Sequence, residues 1–180
     1  MAAALAASSE IFQFRYVTAA SRIALVQKVN ISAGCNVAAT AAGLVAFRMT
    51  AARAWSAAGS GGTRLTLTGN NVKLRTAMAT TEVSDAGIST TGALTAGTKT
   101  LDATDLSTIS IGVGTGAITV SHSLTLLPLS SLFDADGEGQ HPLVLANQEG
   151  FVIRNGANAW PATMTWSFSV NVVWAEVPAY

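Results

Sequence analysis

From Ala162 to Trp174 apolar and small polar residues alternate almost without error. Ala162, Met164, Trp166, Phe168, Val170, Val172 and Trp174 share one parity, and Thr163, Thr165, Ser167, Ser169 and Asn171 share the other. A period of two puts every second side chain on the same face of a sheet, so the pattern predicts a β-strand with one buried face. It spans about 13 residues, on the order of 40 Å at roughly 3.3 Å per residue. No charge falls between Thr163 and Asn171. A long uncharged strand at an open edge invites pairing with other chains. This strand is therefore expected either to be central in its sheet or to be sealed by a neighbouring subunit.

Similar signals run through the rest of the chain. Phe12, Phe14 and Tyr16 alternate with Gln13, Arg15 and Val17, and a second strand is expected from Arg22 to Ile31. Residues 34–43 are small and read as a loop or a short helical turn. Val45, Phe47 and Met49 mark a strand extending towards Trp55. Leu65 and Leu67 facing Val72 and Leu74 across Gly69-Asn70-Asn71 suggest a hairpin. Residues 77–108 are rich in Thr, Ala and Gly and predict an extended connection, or weak strands around Leu94 and Leu101. Ile109 to Val113, then Ile118 and Val120, restore the β pattern. Pro128 assigns the apolar run Leu124 to Leu132 to a sheet edge or corner. Two short strands, Leu143–Leu145 and Phe151–Ile153, precede the long final one. The chain is expected to be all-β, a β-sandwich or jelly roll of roughly eight to ten strands. Residues 1–10 form an amino-terminal arm in this reading, and residues 11–180 a single domain.

Composition sharpens the expectation of assembly. Charged residues make up 11% of the 180, against roughly 25% in ordinary soluble domains. So few charges leave little to solubilise a lone molecule, and a homo-oligomer is expected. Residues 1–76 carry eight basic groups and one acid, whereas residues 77–180 carry two basic groups and nine acids. Such a split either orients subunits or cancels locally where strands from both halves interleave. The basic residues stand singly without aromatic interleaving, so no nucleic-acid partner is expected. No apolar window reaches the ~18 residues of a membrane span, and the start MAAALAASSE lacks the positive region of a secretory signal. Synthesis in the cytosol and no membrane association are expected. Cys35 is the single cysteine and reads as a small buried hydrophobe.

Candidate chemistry is sparse. Asp134, Asp136 and Glu138 alternate in a glycine-rich loop and could offer oxygens to Ca²⁺, although the position of a closing glutamate falls at Leu145. A solvated turn is the simpler reading. His122 and His141 accompany no nucleophile elbow or phosphate-binding glycine motif, so no catalytic residue, cofactor or enzymatic activity is expected. Aromatic residues bury large rigid areas and are favoured at interfaces. Phe12, Phe14, Trp160, Trp174 and Tyr180 are the interface candidates, with Trp166 and Phe168 assigned to the core.

The stretch Pro142-Leu143-Val144-Leu145-Ala146-Asn147-Gln148-Glu149-Gly150-Phe151-Val152-Ile153-Arg154-Asn155, then the strand ending Trp174-Ala175-Glu176-Val177, resembles the ending of small β-rich virion proteins of tailed bacteriophages. The resemblance covers about the last 40 residues as a hairpin followed by a long final strand. It implies a jelly-roll or similar sandwich, trimeric, attached to a capsid as a decoration or cement protein with the major capsid protein as partner. The alternatives are a receptor- or carbohydrate-binding module of a phage fibre or tail, and a small jelly-roll coat subunit. The resemblance carries no functional residue over to this sequence.

Overall fold

Alternation along the chain resolves into eleven strands in a computed structural model that describes residues 5–19, 21–37, 39–115, 124–136 and 141–178. In order they are β1 (Glu10–Tyr16), β2 (Arg22–Val37), β3 (Gly43–Ala57), β4 (Thr63–Arg64), β5 (Val83–Ile88), β6 (Thr98–Leu101), β7 (Ser107–Val113), β8 (Leu124–Asp134), β9 (Leu143–Leu145), β10 (Glu149–Asn155) and β11 (Thr165–Pro178). There is no helix among the described residues. The larger sheet runs β4-β5-β1-β10-β3-β6, with β7 also on β3; the smaller runs β11-β2-β8, with β9 also on β2. All pairings are antiparallel. The chain is an all-β sandwich with slightly more strands than the sequence suggested.

Between the sheets lies one apolar core. The large sheet contributes Phe12, Phe14, Tyr16, Phe47, Met49, Phe151 and Ile153, and the small sheet Val26, Val29, Ile31, Cys35 and Trp166. Aromatic contacts bridge the layers: Trp160 lies 5.6 Å from Phe47 and 4.6 Å from Trp166, and Phe14 meets Trp174 edge-on at 5.3 Å. Each fully buried large apolar side chain contributes about 1.5–3 kcal/mol. This core is why Phe12, Phe14 and Trp160 are corrected as interface candidates: all three are buried inside the sandwich and present nothing to a partner.

Two interruptions of strict alternation shape the sheets. In β2 the inward set changes from Ala24 and Val26 to Val29, Ile31, Ala33 and Cys35. The change coincides with a register shift in which Val173 pairs with Lys28 but Trp174 with Val26, leaving Gln27 as the extra residue of a β-bulge. In β3, Ala54 has φ +49. There Trp55, which parity would group with Phe47 and Met49, packs instead with Ala52 and Val152 on the outer side of the large sheet.

Several expectations change. β2 runs on through residues 34–37, where a loop was expected, because Cys35 pairs with Trp166 and is buried. No hairpin forms over residues 65–74; only Thr63–Arg64 pair, with β5, and the segment turns through Thr68–Asn71 and Asn70–Lys73 backbone bonds. The strands Leu143–Leu145 and Glu149–Asn155 are no hairpin either. The first joins β2 in the small sheet and the second lies between β1 and β3 in the large one, so the chain changes layer between them. The Thr/Ala/Gly-rich segment supplies β5, β6 and part of β7. Within the arm, residues 5–9 are docked: Leu5 is buried, and the carbonyls of Leu5 and Ala6 accept from Trp160 N at 2.9 Å and Asn155 Nδ2 at 2.7 Å. The strand expected at Ile118 and Val120 lies outside the described residues.

Candidate interaction surface

The long final strand is an edge. β11 pairs with β2 from Thr165 to Pro178, and no described strand lies on its other side. Of the two placements expected, central in its sheet or sealed by a neighbouring subunit, the first is thereby corrected. The strand starts at Thr165 because Thr163 has φ +67, which breaks the extended run. Its alternation holds: Trp166, Phe168, Val170 and Val172 belong to the core, whereas Ser167, Ser169 and Asn171 are exposed. An edge of this length leaves backbone N–H and C=O groups available for pairing, and it lacks the lysines or prolines that blunt such edges until Pro178.

The outer face of the small sheet continues the same chemistry. Ser32 and Ser169 share a hydroxyl hydrogen bond of 2.8 Å across a register pair, and Asn30 faces Asn171. Further along, Leu25 stands between Ala175 and Val144, and Ile23 beside Val177. These apolar residues are only half-buried, with Val144 exposed. Lys28 and Asp134, paired at 2.7 Å, bring charge to this face, and each drives the other further into its charged form through their hydrogen bond.

Beside the carboxyl-terminal half of the edge, residues 72–81 form the far wall of a groove of about 520 Å³. Val72, Leu74 and Met78 face Val172, Trp174 and Pro178 across it. Leu74 is 91% exposed, an unusual position for so large an apolar side chain. Glu176 fixes the floor. Its carboxylate accepts from the Thr81 hydroxyl, from Glu82 N at 3.0 Å and from Trp174 Nε1 at 3.2 Å. Burial, then the nearby Glu176 carboxylate, push the Tyr16 phenol up from its ordinary pKa.

The remaining expected site residues are dispersed. Trp174 is half-buried, packs on Phe14 and also lines the groove, so of the four described interface candidates it is the one that meets this surface. Tyr180, Glu138 and His122 lie outside the described residues. Asp134 is taken by Lys28 and also accepts from Asp136 N at 3.1 Å. No cluster of three or more metal-ligating side chains occurs among the described residues. The groove escaped the sequence reading because its two walls are a hundred residues apart; Leu74 in a polar, basic stretch was the one local signal. No helix among the described residues is long and apolar enough to cross a membrane. No family model matches the chain, and comparison with curated proteins and with solved structures likewise returned no match.

Proposed function

We propose that this chain is a noncatalytic structural protein that assembles with copies of itself through the bare edge of β11 and the outer face of the small sheet, whose Lys28 and Asp134 charges are paired with each other. The observation that carries the reading is a 14-residue edge strand whose outward side chains are serine, asparagine and valine over most of its length. A second copy can add a strand there through main-chain hydrogen bonds, and without charges opposite one another no repulsion opposes the contact. The role in a virion, as a decoration or cement protein on the major capsid protein, rests on the carboxyl-terminal resemblance. Many weak contacts made by one oligomer on a lattice would sum to firm attachment through high effective concentration.

Size-exclusion chromatography with light scattering tests the assembly. An oligomer at micromolar concentration is expected; β11 meeting β11 gives a dimer, and a trimer requires β11 to meet a different surface of the next copy. A stable monomer overturns the reading. Co-sedimentation with capsids separates the decoration role from a fibre module, which would bind glycans instead, and from a coat subunit, which would form shells alone.

A further inference from the structure

On the outer side of the large sheet, away from the groove, three polar side chains meet out of reach of water, with a fourth, the partly exposed Arg64, at their margin. Gln13 on β1 is fully buried, and the side chains of Lys99 on β6 and Glu10 on β1 are 2% and 8% exposed. Lys99 Nζ donates to Glu10 Oε2 at 2.8 Å, and Gln13 Nε2 donates to that same oxygen at 2.6 Å. Amine and amide are thus one carboxylate oxygen apart. The amide is held on both sides, with Nε2 also donating to Thr95 O at 2.7 Å and Oε1 accepting from Arg64 Nη1 at 3.1 Å. Asp85 in turn fixes Arg64 at 2.9 Å. The Trp55 ring covers Lys99 Nζ, 4.3 Å from its centroid. Gly59 packs so closely that a β-carbon there would lie 2.6 Å from Gln13 Oε1, closing the last side.

The geometry points to an autocatalytic amide cross-link between Lys99 Nζ and Gln13 Cδ, with release of ammonia. Each part that such an acyl transfer needs is present. Glu10 is within hydrogen-bond reach of both the nucleophile and the leaving group, so one carboxylate serves as base and then as acid. Arg64 is aimed at the oxygen on which negative charge develops. Burial favours the neutral, nucleophilic amine of Lys99, against the opposing pull of Glu10.

The step balances without an external reactant. Lys99 gives a proton to Glu10 and its free amine attacks Gln13 Cδ, forming the Nζ–Cδ bond, while Arg64 holds the oxyanion. Glu10 passes the proton to Nε2, the Cδ–Nε2 bond breaks, and the carbonyl re-forms. Of the three original ammonium protons one stays on the new amide, one completes ammonia and one ends on Glu10 or converts the ammonia to ammonium. Nothing is oxidised or reduced. To react, the lysine end, which also donates to the Ala96 carbonyl, turns from the Glu10 carboxylate to the amide carbon. The bond would staple the 89–101 segment to β1 and close a covalent loop over residues 13–99.

Intact-mass measurement of the purified, fully denatured full-length chain is the test. A mass lower than that of the sequence by one ammonia is expected, together with a proteolytic fragment in which the Gln13 and Lys99 peptides are joined. Lys99→Arg keeps a cation on Glu10 but has no amine of the right kind, and Glu10→Gln removes the base; both are expected at full mass with circular dichroism still of β type. Wild-type protein at full mass after prolonged incubation overturns the proposal. So does an ammonia loss that maps elsewhere, such as to Asn155-Gly156.

Discussion

The outer faces of the two sheets handle polar groups in opposite ways. On the large sheet, charges are numerous, paired and partly covered by the segments that follow β3 and β5. Asp105 gathers Thr50 at 2.6 Å, Arg154 at 2.9 Å and Arg48 at 3.0 Å, and Arg53 spans Asp102 and Glu149. Arg15 caps the carbonyls of Trp55 and Ser56 at 2.9 Å each. On the small sheet, charge is nearly absent, and Ser167, Ser169 and Asn171 are exposed among the described residues. A face whose charges are matched internally is finished, because its partners are already in place. A face with few charges and an open edge has its hydrogen-bonding and apolar capacity still to use. The contrast separates the part of the molecule that holds itself together from the part available to something else.

The sharpest way to break this contrast is to open the covered side. Trp55→Ala removes a fully buried indole beneath Lys99 and is expected to cost about 3–5 kcal/mol of unfolding free energy, measured by urea denaturation. Asp105→Ala leaves Arg48 and Arg154 without their counter-charge and should cost roughly 2 kcal/mol in the same assay, less than a fully buried pair because water reaches part of the group. The wild-type protein titrates this network. Burial pushes the Asp105 carboxyl up, but the Thr50 hydrogen bond with Arg154 and Arg48 outweighs it and holds the group below its ordinary value. A carboxyl lowered in the folded state stabilises above its unfolded pKa. That stabilisation should fade as pH falls below about 4, seen as a dropping thermal midpoint, and Asp105→Ala should flatten the slope.

The bare side should respond in the reverse sense. Ser167→Lys with Ser169→Lys places two charges beside the open edge; the expected stability change is within about 0.5 kcal/mol, while light scattering should show the oligomer dissociating. Leu74→Ser touches a side chain already in water and should leave unfolding unchanged. If the groove joins copies, the same substitution weakens association; if it does not, association is unaffected and the contact is confined to the edge and outer face.

The long alternating run from Met164 to Trp174 was legible because period two survives any environment that buries one side. The edge at Pro128 was legible too, since a residue without an N–H cannot serve a central ladder. The false hairpin at residues 65–74 had turn chemistry but no partner face to bury Leu74. The two short strands after Pro142 looked like a hairpin because spacing cannot show that Leu145 and Phe151 enter different layers. Of the two readings of the charge split, the pairs follow local cancellation: the basic first half and acidic second half interleave, and seven of the eight ion pairs among the described residues join one half to the other.

By itself, then, the order of residues determined an all-β chain, most of its strands and the inward parity of the long final one, because alternation and turn preference act over a few neighbours. Tertiary structure decided which strand stands at an edge, that Phe12, Phe14 and Trp160 are core, and that Glu10, Gln13, Arg64 and Lys99 share one site. Those outcomes depend on which segments meet across many tens of residues. Pairing partners, bulges and layer changes set that, and no local pattern records it.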